Sequence, residues 1–522
     1  MRPLILGILA ILAVLAGPVQ AENVLRWSMH GDALTFDPMG QNEGPTFIQN
    51  QQVYETLVTL TPEMQLEPAL AVSWEVVEPT RWVFHLREGV TFQDGRPFTA
   101  EDVAFSITRA QHPFSNYLQL VSEIEEVQII DDHTLNFITY APAPLLPQKL
   151  FSIFMMSKSW SEEHGVVTPQ NFSGGEENYA VRNANGTGPF MLELREPDIR
   201  TIMVRNPNWW GNEAGIPNDI DRIVFTPIEN DATRVAALLS GELDLILDPP
   251  LQDLARLERT PGLVLAQVPQ IRTIFFGLNQ RDDELASSNI RGRNPFQDVR
   301  VRRAIYQAIN EDAIRDRIMR GRAAPGGMII SPGINGYEEG FDERLPFDQD
   351  AARDLLADAG YADGFSVSLD CPNNRYVNDE EICQAAVGML AQIGITVNLD
   401  AQPKSLHFPK IENQVTDFYM LGWTPNTLDS GSVFDYLIGT DGSWNAAGYS
   451  NAVVDEMLPR ISAEIDPDVR RAMIHDAWQI ILDDVAYVPL HNQVLTWAMR
   501  DSLDMPITPN NLPQFRWARI EE

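Results

Sequence analysis

Cysteine is nearly absent from this 522-residue chain, which carries only Cys371 and Cys383. Two thiols cannot build a disulfide-rich scaffold, nor a zinc or iron–sulfur centre held by cysteine ligands. Positive charge is scarce as well: 38 Lys and Arg stand against 73 Asp and Glu, a formal charge of -35. So acidic a surface repels phosphate backbones and anionic headgroups, and no nucleic-acid partner is expected. Apolar runs long enough to span a bilayer, about 20 residues, are lacking too. Also missing are a phosphate-binding glycine loop ending in Gly-Lys-Ser/Thr, a dinucleotide fingerprint, His-Glu-x-x-His, Cys-x-x-Cys and a Gly-x-Ser-x-Gly elbow. The histidines at 30, 85, 112, 133, 164, 407, 475 and 491 are scattered, with no pair at i and i+3 or i+4 to seat a metal on one helix face. Carboxylates are too numerous for an acid/base pair to be singled out. No catalytic residue, metal or cofactor is therefore expected.

What is present is ordinary globular material, 44% hydrophobic and 21% charged, in a length that suggests two to four domains or lobes. Arg2, the apolar stretch Leu4 to Ala16, a Gly17-Pro18 break and Val19-Gln20-Ala21 read as a cleaved secretory signal over residues 1–21. The mature chain would begin near Glu22 in an exported compartment, and with no cysteine at the cleavage site it would not be a lipoprotein. Disulfides persist in such a compartment. Cys371 and Cys383 are either a disulfide, worth about 2 to 3 kcal/mol on the chain-entropy model, or two unlinked thiols on a strand end and a helix.

Local patterns predict an α/β chain. Trp82, Phe84 and Leu86 alternate as a strand, Gly89 turns into a second strand at Val90-Thr91-Phe92, Asp94-Gly95 marks a turn, and Thr99 caps a helix that buries Val103, Ile107 and Ala110. Further on, Asp348 to Ala359 is helical and ends at Gly360, Phe365, Val367 and Leu369 alternate as a strand, Glu380 to Gln392 is a helix, and Ile395-Thr396-Val397 is a strand. No repeat or long flexible linker divides the chain, so its lobes are expected to be woven together by several crossings.

Several motifs then occur in a fixed order: Val53-Tyr54-Glu55-Thr56-Leu57-Val58, Leu86 to Gly95, Thr99-Ala100-Glu101-Asp102-Val103, Gly186-Thr187-Gly188-Pro189-Phe190, Arg205-Asn206-Pro207-Asn208-Trp209-Trp210, Ser240-Gly241-Glu242-Leu243-Asp244, Val299 to Ala304 and Leu355 to Tyr361. This order resembles the extracellular solute-binding proteins of family 5, the peptide- and nickel-type receptors of ABC importers. The resemblance implies a two-lobe periplasmic binding protein of the type II, Venus-flytrap kind, with an inserted subdomain. One lobe would combine 22–55, 187–270 and 495–522, the insertion would be 56–186, and the second lobe 271–494. It also implies a monomer that hands its ligand to the permease and ATPase complex of an inner-membrane ABC importer, without catalysis.

The stretch Leu421-Gly422-Trp423-Thr424-Pro425-Asn426-Thr427-Leu428-Asp429-Ser430 is similar to the segment in which peptide receptors of the family carry Gly-Trp-x-x-Asp, whose carboxylate pairs with the ligand's α-amino group. Asn426 stands at that position. Asp429 either takes over the role or matches a following structural Asp. The resemblance further places Trp423, Thr424, Trp444 and Tyr449 on one wall of a cleft, and Asn42 and Glu43 on a hinge-proximal loop. Three functions stay open: a receptor for short peptides, the same importer role for an oligosaccharide, opine-like conjugate or metal chelate, and an exported hydrolase or chaperone.

Overall fold

The structure is a computed structural model that describes residues 22–172, 174–425 and 427–521. The expected signal segment and Asn426 lie outside the described residues. Two long strands, Leu263–Leu278 and Val488–Arg500, are rich in β-branched and aromatic residues and run antiparallel through the middle of an eleven-stranded sheet. On one side of this pair lie Phe418–Trp423, Phe365–Pro372 and Ile395–Gln402, the last two parallel and joined by the helix Asp379–Ala391. On the other side lie Leu245–Leu247, Val24–Ser28, Arg222–Phe225, Arg200–Arg205 and Phe190–Glu196, in that spatial order. The short strand Ala323–Pro325 pairs with Val488–Arg500.

The pairing of the two long strands slips between Pro269 and Thr273. Proline has no amide to give a ladder, and a bulge there lets one strand bend. The cores divide at the same place. Ile274, Phe276 and Leu278 pack with Val301, Ile305, Val367, Leu369 and Phe418, whereas Leu25, Trp27, Phe225, Leu245 and Trp497 form a core of their own. Separate core clusters on the two sides of this bulge mark two halves of the sheet.

A separate four-stranded antiparallel sheet, ordered Ala71–Glu78, Arg81–Leu86, Thr134–Thr139, Ile124–Asp131, carries the helix Ala100–Ala110. Thr99 and Asp102 form the expected capping box, and Val103, Ile107 and Ala110 are buried. The strand expected at Val90–Phe92 is instead a single bridge between Thr91 and Pro97. Val90 and Phe92 do point into the core, but Phe92 donates its amide to Arg96 across the Gly95 turn, so three alternating residues gave the correct inward faces and the wrong partner. The helix Gln349–Asp358, capped by Asp348 and followed by Gly360 at φ +85°, and the strands from Phe365 and Ile395 form where the pattern predicts.

The loop Thr35-Phe36-Asp37 is fully buried and fastens this second sheet to the first. Asp37 accepts both terminal nitrogens of Arg109 at 2.7 and 2.6 Å, the Gln170 amide at 2.8 Å and the Asn178 side chain at 3.0 Å. Burial opposes ionisation, yet the Arg109 guanidinium and these donors hold the Asp37 carboxyl below its ordinary value. A carboxyl depressed in the folded state stabilises above its unfolded pKa, near 3.8, and loses that contribution as pH falls through the folded value. The Asp37→Asn variant is accordingly expected to lose stability at neutral pH and to show a shallower acid-unfolding profile, measured by circular dichroism between pH 7 and 2.

Candidate functional site

Two adjoining cavities of about 470 and 270 Å³ share Arg272, Arg375 and Tyr376 and together form one cleft. Arg272 sits at the bulge of the strand Leu263–Leu278, next to Thr273, which pairs with Trp423 on the neighbouring strand. Its Nε donates to Thr424 Oγ1 at 3.1 Å. Asn492 ties the same spot to the other long strand by donating to the Arg272 carbonyl and to Thr273 Oγ1 at 3.1 and 2.9 Å.

Arg375 and Tyr376 come from the loop after the strand Phe365–Pro372. The buried Asp379 accepts both of their backbone amides, at 2.9 and 3.0 Å, which fixes the loop. Tyr376 Oη accepts from the Gly422 amide at 2.8 Å and so fastens the loop to the strand that carries Trp423. The disulfide Cys371–Cys383 closes the loop at its base. Replacing both cysteines by serine is expected to lower stability by about 2 to 3 kcal/mol, measured by urea unfolding, because the open chain regains loop entropy.

An aromatic wall flanks the arginines. Trp423 lies 5.8 Å from Trp444 and 5.5 Å from Tyr436 between ring centroids, and Phe408 meets Trp444 edge-on at 6.1 Å. The Arg375 guanidinium carbon is 5.2 Å from the Tyr376 ring centroid and 6.0 Å from that of Phe408.

The electrostatics of the cleft oppose those of the molecule. Neither Arg272 nor Arg375 has a carboxylate partner within salt-bridge distance among the described residues, although acids outnumber bases nearly two to one in the chain. Burial, and then repulsion by Arg375, shifts Arg272 below its ordinary pKa. The indole nitrogen of Trp423 and the amide nitrogen of Gln493, two further donors at the cleft, are buried without a partner among the described residues. Cations without counter-charges at one place suit a ligand with negatively charged oxygens, which accept the guanidinium hydrogen bonds.

Of the residues singled out from sequence, Trp423, Thr424 and Trp444 line this cleft. Asp429 does not. It is 1% exposed, forms a buried ion pair with Arg470, with Nη2 to Oδ1 at 2.8 Å, and also accepts from Asn335 at 2.8 Å and from the Gly431 amide at 2.6 Å. Tyr449 is buried and its hydroxyl donates to Asp484 at 2.8 Å. Asn42 is exposed, and Glu43 caps the helix Gly44–Val53 by accepting the Thr46 amide at 2.7 Å. None of these four lines either cavity. A third cavity of about 50 Å³ contains Glu55, whose carboxylate is engaged by the indoles of Trp209 and Trp210 at 3.0 Å.

Sequence reasoning missed Arg272, Arg375 and Tyr376. A signal existed for each: Arg272 interrupts the apolar run Ile271 to Phe276, and Arg375-Tyr376 lies in the segment bracketed by the two cysteines.

Residues 65–445 match the family described as bacterial extracellular solute-binding proteins, family 5, middle. Over 514 residues the chain is 26% identical to the glutathione-binding protein GsiB of Salmonella typhi, covering 94% of this chain and 95% of that one. Among solved structures it resembles the periplasmic binding protein DppA of Helicobacter pylori in complex with the peptide STSA, at TM-score 0.73 and 23% identity over 96% of this chain and 98% of that one. It also resembles the binding protein AgaA of A. tumefaciens R10 in complex with agropinic acid, at TM-score 0.71 and 21% identity over 96% and 99%. The fold is thus the mixed α/β fold of periplasmic binding proteins over nearly the full length. No helix among the described residues is long and apolar enough to cross a membrane.

Proposed function

The chain belongs to the bacterial extracellular solute-binding proteins of family 5, non-enzymatic binding components of ABC importers, and from that premise we propose that it is a periplasmic receptor for short peptides. The single observation that carries the reading is the pair of unpaired arginines, Arg272 and Arg375, beside the aromatic wall of Trp423 and Trp444. A peptide carboxylate matches the planar donor fork of arginine, and the indoles accept apolar or planar side chains.

The lobes proposed are 22–55 with 187–270 and 495–522, and 271–494, with 56–186 inserted. A ligand that touches both lobes favours the closed form by its differential affinity, and the permease complex reads that form. Residues 1–21 serve as the cleaved export signal in this account. The peptide class is supported by relatives named for glutathione and for a bound peptide. Agropinic acid in another relative keeps an opine-like conjugate as the second reading, because it too would meet the arginines through acidic groups.

Calorimetry of the full mature protein with glutathione and with di- to pentapeptide mixtures tests the proposal. Saturable heat with peptides that is lost on C-terminal amidation is expected. No heat with any peptide, together with heat from an opine or sugar panel, overturns it.

A further inference from the structure

The residues lining the two cavities of the cleft include one carboxylate, Asp248. It follows the strand Leu245–Leu247 and precedes Pro249-Pro250 at the start of the helix Leu251–Leu257, on the half of the sheet opposite to Arg375 and Trp423. Its backbone has φ +49°, a conformation that non-glycine residues adopt at a cost. The Asp248 amide is held by the Thr496 carbonyl at 3.1 Å. One carboxylate oxygen, Oδ2, accepts from Asn511 Nδ2 at 2.8 Å, and Asn511 is itself oriented by the Trp497 indole at 2.8 Å. Oδ1 has no donor among the described residues, and no Lys or Arg among them lies within 4 Å of the carboxylate.

The local chain therefore holds a half-satisfied carboxylate on the wall of the cavity that Arg272 also lines. Asp248 is exposed to solvent, so water completes its hydration. When the two halves close over a ligand that water is displaced, and an unpaired carboxylate becomes costly unless a cation meets it. Although Asp248 is exposed to solvent, desolvation by the protein around the cleft pushes its carboxyl above its ordinary value, and the Asn511 hydrogen bond with the charges of Arg234 and Arg272 pulls it only partly back.

Resting on the peptide reading above, we infer that Asp248 is the cleft's anchor for the ligand's ammonium group, so that the receptor selects zwitterions. The carboxylate end of the ligand faces Arg272 and Arg375 on one lobe while the ammonium end faces Asp248 on the other. Each end of the ligand then pairs with a different lobe, and the charges that give specificity also draw the lobes together. A ligand whose amino group is acylated keeps its arginine contacts and loses this second tether.

Native mass spectrometry of the full mature protein tests the assignment. The probes are a random tripeptide mixture with free amino termini and the same mixture N-acetylated, each offered to wild type and to Asp248→Asn. Asparagine tolerates the positive φ and keeps the Asn511 hydrogen bond, so unliganded thermal unfolding should match wild type. Wild type is expected to prefer the free peptides by roughly 30-fold or more. Asp248→Asn should bind acetylated peptides as wild type does and retain less than about a 3-fold preference for free ones. A variant that keeps the wild-type preference, or that weakens both mixtures equally, overturns the assignment, the second result showing that Asp248 pairs with Arg272 and not with ligand. Binding of neither mixture to wild type overturns the peptide reading, and the ammonium anchor with it.

Discussion

Arg375→Ala should weaken ligand binding by roughly 30- to 4,000-fold, the range expected when one partner of a buried, hydrogen-bonded charge pair is removed. Unliganded thermal unfolding should stay near wild type. The separation follows from how the loop is built. Asp379 holds it through the backbone amides of Arg375 and Tyr376, Tyr376 fastens it to Gly422, and the disulfide closes its base. The Arg375 side chain takes no part in those bonds. Arg375→Lys keeps the charge and loses the two-pronged geometry, so its affinity should fall between the two. Calorimetry with the best-binding peptide, beside differential scanning of the unliganded protein, separates the two effects. Affinity within about 3-fold of wild type for Arg375→Ala would place the ligand's carboxylate elsewhere.

Asp429→Ala is expected to act in the opposite way. Its carboxylate is buried against Arg470 and takes hydrogen bonds from Asn335 and the Gly431 amide. Removing it leaves the Arg470 guanidinium buried without a counter-charge, a loss of about 3 to 5 kcal/mol. Replacing Arg470 by leucine in the same protein should recover part of that loss, because the uncompensated charge goes with it. Urea unfolding of the single and double variants measures both. Peptide affinity of the folded fraction should change little, since Asp429 lines neither cavity of the cleft. Wild-type stability together with a large loss of affinity would return Asp429 to the ligand.

Asp429 also marks the limit of what the sequence displays. Its position near Trp423 in the chain is visible, but a carboxylate six residues past a cleft tryptophan points inward or outward according to whether an arginine waits in the core, and Arg470 belongs to another helix. Tyr449 turned inward for the same kind of reason, drawn to Asp484. By contrast Trp423, Thr424 and Trp444 were accessible from sequence because a strand end and the loops near it carry them to one rim.

The elements themselves were legible wherever a cap or an alternation was local. Thr99 with Asp102, Asp348 with Gly360, and Phe365, Val367 and Leu369 all specify structure within a few residues. The cleft is not local. Asp248, Arg272, Arg375 and Trp423 meet only because two strands cross from one half of the sheet to the other and bend at Pro269–Thr273. Neither the order of the eleven strands nor the absence of carboxylates beside two arginines can be read from spacing along the chain.

The most direct measurement is native mass spectrometry of the mature protein purified gently from its source, with the co-purifying small molecule released and identified. The account predicts short peptides or a closely similar zwitterion carrying at least one carboxylate, displaced from wild type by competing peptide and missing from Arg375→Ala. A neutral sugar, a cationic solute or a metal chelate without a free carboxylate, retained equally by Arg375→Ala, would contradict it.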